Sequence, residues 1–504
     1  MEIYSNLDET EKKLKEFSDT MCFAKWSQVS LHLTNGMTHS CYHPPVHSIS
    51  IDDIKKNPSA LHNTKQKILE RTQMLNGLRP EGCNYCWKIE DLGKRSDRLY
   101  KSNEYWAIQS LKDIERVKLG NINPTYVEVN FNQTCNFKCM YCSPHLSSSW
   151  EEEILEFGPY EIIRHDGFQA HNDINSLSNK KLMPIKVSNK DNPYLEAFWK
   201  WWPALYKKLF VFRMTGGEPL LDNNTYKILD YVNEVPNAFL ELSITSNFCP
   251  PKKQIIEKFI EKVLNIEKIR YWKESRINPN TGNNAYISSA CKNISLFISL
   301  DSVGQQAEYI RSGLVFDELI NNVDSFLSQT MNTTITFINT FNALSVPKLK
   351  NFLEYILELR SKNSKEKQGV KYIPVEIIEY QKLVTHPPQK VEPKQRIWFD
   401  VPLLENPNWF EINILPKQYS TYLEQSLDFM RQHTNTENFV GFYDFEINKV
   451  ERNLSYFLNQ RIEDEEELKI RHWNFRHYLE QYDNRKKYDF SKVFPELKQF
   501  YNSI

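Results

Sequence analysis

The run Tyr126-Val127-Glu128-Val129-Asn130-Phe131 leads, three residues on, into Cys135-Asn136-Phe137-Lys138-Cys139-Met140-Tyr141-Cys142. The first stretch alternates apolar and polar residues, the period of a half-buried strand. The second has the spacing C-x3-C-x2-C. Three thiolates so close together can wrap one corner of a cubic [4Fe–4S] cluster, for which cysteine is the usual ligand. Three ligands on four irons leave one iron open to bind something else. A structural zinc site prefers four protein ligands in a closed tetrahedron. The loop directly follows a predicted strand, at the end where α/β barrels place their chemistry.

Further strand-like runs follow: Leu209–Met214, Leu240–Ile244, Ile294–Leu300, Ile335–Ile338 and Val375–Ile378. Between them, Ile256, Phe259, Ile260, Val263 and Leu264 recur at helical spacing, as do Leu349, Leu353, Ile356 and Leu357. Strands alternating with helices predict an α/β chain with a parallel sheet and crossover helices. Six such units suit a partial (β/α)6 TIM-like barrel, with Trp409–Leu415 as a further strand candidate. The expected divisions are residues 1–118 as a small cysteine-rich domain, 119–420 as the barrel, with an insertion at 151–192, and 421–504 as a helical C-terminal region. The acidic run Glu463–Glu467 reads as a solvated helix face.

Each strand end carries polar or glycine residues. Thr215-Gly216-Gly217-Glu218-Pro219 follows the second strand, and its glycines allow close backbone approach. Thr245-Ser246-Asn247 ends the third, Ser299-Leu300-Asp301 the fourth, and Arg311 stands in Tyr309-Ile310-Arg311-Ser312-Gly313. In this order the motifs resemble those of the radical SAM superfamily. That resemblance implies a [4Fe–4S] cluster on Cys135, Cys139 and Cys142 whose open iron binds S-adenosylmethionine (SAM). It also implies SAM contacts at Tyr141, Gly216, Gly217, Glu218, Pro219, Ser246, Asn247, Ser299, Asp301 and Arg311. Among these, Glu218 would receive the SAM ammonium and Arg311 would pair with its carboxylate. Asn130, Asn132, Asn339 and Asn342 also fall at strand ends, as substrate contacts or as loop caps.

A second cysteine set precedes the barrel. Trp26 to Leu33 alternates toward Asn35-Gly36, a hairpin signal that brings Cys22 and Cys41 together. Cys83-Asn84-Tyr85-Cys86 adds a C-x2-C pair, so four thiolates can close an Fe–S or a zinc site. The spacing C-x13-G-x4-C resembles the start of SPASM and twitch domains. With four cysteines the single-cluster twitch type is the nearer likeness, which implies an auxiliary [4Fe–4S] cluster on Cys22, Cys41, Cys83 and Cys86. Here the set lies before the barrel rather than after it. The tract Cys86–Arg98, Asp483-Asn484-Arg485 and Phe494-Pro495-Glu496-Leu497 resemble a subset of twitch proteins so arranged. His39, His43 and His47 surround Cys41 and read first as surface histidines. Cys249 and Cys291 read as ordinary barrel thiols.

The 504 residues carry 63 basic and 64 acidic side chains, a balance with no global attraction for nucleic acid or an acidic membrane surface. No apolar run reaches the ~18 residues of a membrane span, and the first residues lack a secretory pattern, so the expected location is cytoplasmic. In that compartment cysteines serve metals more often than disulfides. The resemblance implies an enzyme that cleaves SAM to a 5′-deoxyadenosyl radical and abstracts hydrogen from a peptide or protein side chain. An external donor such as flavodoxin or ferredoxin would supply the electron. The alternatives are a radical SAM enzyme on a small molecule, sugar or nucleotide, and a non-catalytic metal-binding scaffold.

Overall fold

In the computed structural model the alternation at Tyr126–Asn130 becomes a strand that buries Val127 and Val129 on one face and leaves Glu128 half-buried on the other. The structure describes residues 6–117, 120–144, 146–163, 191–272, 286–369, 371–379 and 382–504. Nine strands form the main sheet: β1 (Gln28–His32), β2 (Met37–His39), β3 (His47–Ser48), β4 (Tyr126–Asn130), β5 (Val211–Thr215), β6 (Asn237–Ser246), β7 (Cys291–Ser299), β8 (Thr334–Ile338) and β9 (Ile397–Asp400). Their order is β9-β8-β7-β6-β5-β4-β1-β2-β3. Pairing is parallel from β1 and β4 through β9, and antiparallel where β1 meets β2 and β2 meets β3.

The connecting helices are α1 (Ser148–Phe157) and α2 (Pro193–Tyr206) before β5, α3 (Asn223–Glu234) before β6, α4 (Lys253–Glu267) before β7, α5 (Phe316–Gln329) before β8 and α6 (Leu349–Lys362) before β9. From β4 to β9 the strand order never reverses, unlike a doubly wound sheet. Right-handed crossovers in a strictly sequential sheet place their helices on one face. That face is the apolar one: Phe212, Met214, Leu242, Ile244, Leu296, Ile298, Ile335 and Phe337 are buried. The opposite face is polar and half-buried. Glu128, Arg213, Ser243, Ser295 and Thr334 stand side by side in register across it.

Two expected strands are placed differently. Val375–Ile378 lies in Lys371–Glu379, which pairs with Lys382–Val391 and Ile269–Trp272 in a separate four-stranded sheet. The sixth place beside β8 belongs to β9. A period of two identifies a strand but not the sheet it joins. Trp409–Leu415 forms two 3-10 turns, Asn408–Phe410 and Ile412–Ile414, which bury Trp409, Phe410, Ile412 and Ile414. A short continuous apolar run does not distinguish these conformations by periodicity. In the expected insertion α1 occupies the start, and residues 164–190 lie outside the described residues.

The hairpin expected at Asn35-Gly36 is present, with Ser30 opposite His39 and Gly36 at φ +68°. A Cβ at Gly36 would collide with the Tyr194 ring, so α2 sits directly on the turn. Because β1 also pairs with β4, the cysteine-rich segment extends the main sheet. Its own core of Trp26, Trp87, Leu99, Trp106 and Ile114 packs against Tyr126 and Val211.

The C-terminal region comprises α7 (Ser420–Gln432), α8 (Asp444–Asn459), α9 (Glu465–Lys486) and short terminal turns. It is locked to the sheet by Arg360, which meets Glu446 at 2.6 Å with both side chains fully buried, and donates to the Ile397 and Gly441 carbonyls. Arg360→Met strands a buried carboxylate and should cost about 3–5 kcal/mol, read as a lowered denaturant midpoint. Replacing Glu446 by Gln in the same chain should recover part of the loss.

Candidate functional site

The cysteine loop is shaped by residues far from it in sequence. Lys138–Cys139 forms a two-residue antiparallel ladder with Arg311–Ser312, and the Met140 amide donates to the Ile310 carbonyl at 2.9 Å. The Trp150 indole donates to the Cys139 carbonyl and the Tyr478 hydroxyl to the Met140 carbonyl, at 2.8 and 2.9 Å. The Tyr482 hydroxyl reaches the Tyr309 carbonyl at 2.8 Å, so α9 holds both sides of the ladder. The C-terminal tracts singled out from sequence belong to the same brace. Asp483 accepts from the Tyr309 hydroxyl, Arg485 donates to the Gly158 carbonyl, and Glu496 accepts from Gln306.

The glycines of Thr215-Gly216-Gly217-Glu218-Pro219 permit a close approach, and what approaches is this chain's own backbone. A Cβ on Gly216, at φ +122°, would meet Asn130 Oδ1 and the Asn132 carbonyl. One on Gly217 would collide with the Thr134 carbonyl. The Glu218 amide donates to that same Thr134 carbonyl at 2.7 Å. The glycine loop and the approach to Cys135 are therefore one packed unit. Pro219 is buried and opens the turn Pro219–Leu221.

Glu218 is also internally engaged. Its carboxylate accepts from the Leu220 amide at 2.9 Å, the Ser246 hydroxyl at 2.7 Å and the Asn247 amide at 2.6 Å, tying the end of β5 to the end of β6. Asn247 in turn donates to Asn136 Oδ1 in the cysteine loop at 2.9 Å. Ser299 sits half-buried at the last position of β7.

A second cluster joins Tyr141, Asp301 and Arg311. Arg311 Nε lies 2.8 Å from Asp301 Oδ2, the Tyr141 hydroxyl donates to the same carboxylate at 2.7 Å, and the Thr340 amide donates to Oδ1 at 2.8 Å. Arg311 Nη2 bonds the Tyr141 hydroxyl, and Nη1 points at Cys139 Sγ at 3.4 Å. Its charge is raised further into permanence by Asp301 despite complete burial. Three of the four strand-end asparagines act as loop braces. Asn132 Oδ1 accepts from Thr134, Asn342 Oδ1 accepts from Leu344, and Asn339 donates to the Asp301 carbonyl. Asn130 Oδ1 is buried without a hydrogen-bond partner at the edge of the site.

The three loop cysteines influence one another's ionisation, and burial pushes the Cys135 thiol up to about 12. The Phe137 amide donates to Cys135 Sγ at 3.4 Å. Three half-buried cysteines on one loop, two of whose sulfurs receive N–H bonds, are a donor set that fits a cationic iron core, which would supply the charge that makes thiolates favourable there.

Cys22, Cys41, Cys83 and Cys86 line a single cavity together with Lys25 and Arg98. The Arg98 amide donates toward Cys86 and the His43 amide toward Cys41, while the Ser96 hydroxyl donates to Glu90. Among the described residues no three His, Cys, Asp or Glu side chains converge closely enough to hold one metal ion. Four cysteines lining one cavity suit an Fe–S centre or a zinc ion. His43 is paired with Asp97 at 2.7 Å and stacked on Tyr85, His47 bonds Thr64, and His39 stacks on His32. Cys249 and Cys291 are buried at the end of β6 and the start of β7.

Sequence reading did not single out the polar face between the two cysteine sets. Tyr42, adjacent to Cys41, donates to Glu128 at 3.0 Å. Arg213 Nε lies 3.7 Å from the same carboxylate, and its guanidinium rests over Phe297. The available signal was the charged residue in the alternation of each of two neighbouring strands.

No family model and no curated protein matches this chain. A crystal structure of Streptococcus suis SuiB bound to S-adenosylmethionine is similar at 12% identity and a TM-score of 0.30, covering 82% of this chain and 71% of that one. Another, of SuiB bound to precursor peptide SuiA, is similar at 11% identity and a TM-score of 0.28, covering 66% and 60%.

Burial pushes Glu218 up to about 7 from 4.5, outweighing its three donors. The folded chain thus keeps a proton that the unfolded chain has released between these values. Its stabilising contribution is full below pH 4.5 and is lost as pH rises toward about 7. Cofactor-free protein should lose about 3 kcal/mol from this group across that window, and Glu218→Gln should flatten the difference in denaturation free energy.

Proposed function

We propose that this chain is a radical SAM enzyme acting on a peptide or protein side chain. The supporting observation is the gathering of the cysteine loop, the glycine loop, Ser246-Asn247 and Asp301 at the same ends of four consecutive parallel strands, β4 to β7. Cys135, Cys139 and Cys142 would hold a [4Fe–4S] cluster, and Cys22, Cys41, Cys83 and Cys86 an auxiliary one. When bound, the first cluster supplies the electron that cleaves SAM to a 5′-deoxyadenosyl radical.

The remaining work falls to residues of this chain. Glu218 positions the glycine loop against Asn247, and Trp150 and Tyr478 hold the cysteine loop in place. Arg311 would bear on Cys139, with Asp301 fixing its orientation. The polar face bearing Glu128, Arg213 and Tyr42 would receive the substrate, and an external flavodoxin or ferredoxin would deliver electrons. A cytoplasmic location accords with this chemistry; among the described residues no helix is long and apolar enough to cross a membrane.

Anaerobically reconstituted protein should bind about eight irons and, with dithionite, convert SAM to 5′-deoxyadenosine measurable by chromatography. Cys135→Ala should abolish that product. An iron-loaded wild type that yields none would refute the proposed activity.

A further inference from the structure

The helix Lys65–Leu75 places an excess of buried positive charge behind the N-terminal cavity. Lys25 and Arg71 are each 2% exposed or less, and Glu70 is the carboxylate buried with them, while burial and the neighbouring Arg71 hold the equally buried Lys67 amine well below its usual range. Lys25 Nζ lies 2.5 Å from Glu70 Oε2. Lys67 donates to the Gln28 carbonyl and His62 Nδ1, and Arg71 to the Lys25 carbonyl and Asn63 Oδ1, all neutral acceptors. Burying cations without matching anions costs several kcal/mol each. An anion in the adjoining cavity would offset that cost, and Lys25 lines the cavity beside all four cysteines. Four thiolates around an oxidised [4Fe–4S] core carry a net double negative charge, and reduction adds one more.

The barrel site has a different balance. There Arg311 is the cation on Cys139, and Asp301 matches it at 2.8 Å. A positive excess at one centre and a matched pair at the other separate their tendencies to accept an electron, because charge acts strongly in a buried site.

We propose that the N-terminal cavity holds an iron–sulfur centre whose reduction potential lies above that of the Cys135–Cys139–Cys142 centre, and that Lys25, opposed by Glu70, is the residue that sets it. This rests on reading both cysteine sets as cluster sites. Lys25 acts through the field it exerts on the sulfurs and is a positioning residue for charge, with no part in hydrogen abstraction.

The test is an anaerobic redox titration of the full-length, iron-loaded protein followed by electron paramagnetic resonance, with iron and zinc analysis. The N-terminal signal is identified by its loss in Cys83→Ser. In the wild type it should be reduced first. Lys25→Met should shift its midpoint to lower potential, Lys25→Arg should restore it, and Glu70→Gln should shift it upward. The barrel signal should stay in place throughout. Opposite shifts from the two partners are not produced by mere loosening of the fold, and Glu70→Gln keeps the test open if Lys25→Met fails to take up iron. With about eight irons bound and both signals present, unmoved or same-direction midpoints overturn this proposal while sparing the cluster reading. Zinc, or no metal, in the N-terminal site overturns both.

Discussion

The two-residue ladder between Lys138–Cys139 and Arg311–Ser312 is the contact on which the site depends. The cysteine loop contains little regular structure of its own, so its sulfurs are placed by what the loop pairs with. That partner lies beyond three strands of the main sheet, and it brings Arg311 to Cys139 by the same register. Helix α9 then closes over the ladder from the C-terminal end of the chain, through Tyr478 on Met140 and Tyr482 on Tyr309. Residues 311–312 and the helix bearing Tyr478 and Tyr482 must therefore be in place before the loop has its shape. Such long-range closure carries a loop-entropy cost, which the buried aromatic stack of Trp150, Tyr160 and Tyr478 helps offset.

Much of this was readable from local pattern. Alternation located β4 and β6 and short apolar runs located β5, β7 and β8, because one face of each strand lies under apolar helices. The cysteine spacings were read as two sets, and the four N-terminal cysteines do line one cavity. The limits were equally physical. Val375–Ile378 and β9 share the same period, and only tertiary pairing assigns one to the main sheet. Trp409–Leu415 is apolar throughout, which suits a strand or tight turns alike. For Gly216 and Gly217, the need for space was legible, but not that the neighbour is the backbone at 130–134. For Arg311, a cation near the site was legible, but not its pairing to Asp301, which lies ten residues earlier and across a helix.

Glu218 and Arg311 look from sequence like groups waiting for a ligand. In the fold each already satisfies several partners within the chain, and each joins two strand ends. A group so engaged holds geometry, since its reorientation would leave Ser246 and Asn247, or Asp301, buried and unsatisfied. The polar row led by Glu128 and Arg213 remains half-open. Tyr42 links that row to the second cysteine set, being one residue from Cys41 and bonded to Glu128. The polar face therefore lies between two thiol-lined sites of unequal charge, joined to one through Arg213 and the β5–β6 strand ends and to the other through Tyr42. A substrate resting there would feel both fields at once, which is reason for the chain to keep the N-terminal segment as an extension of the sheet through β1 rather than as a tethered module.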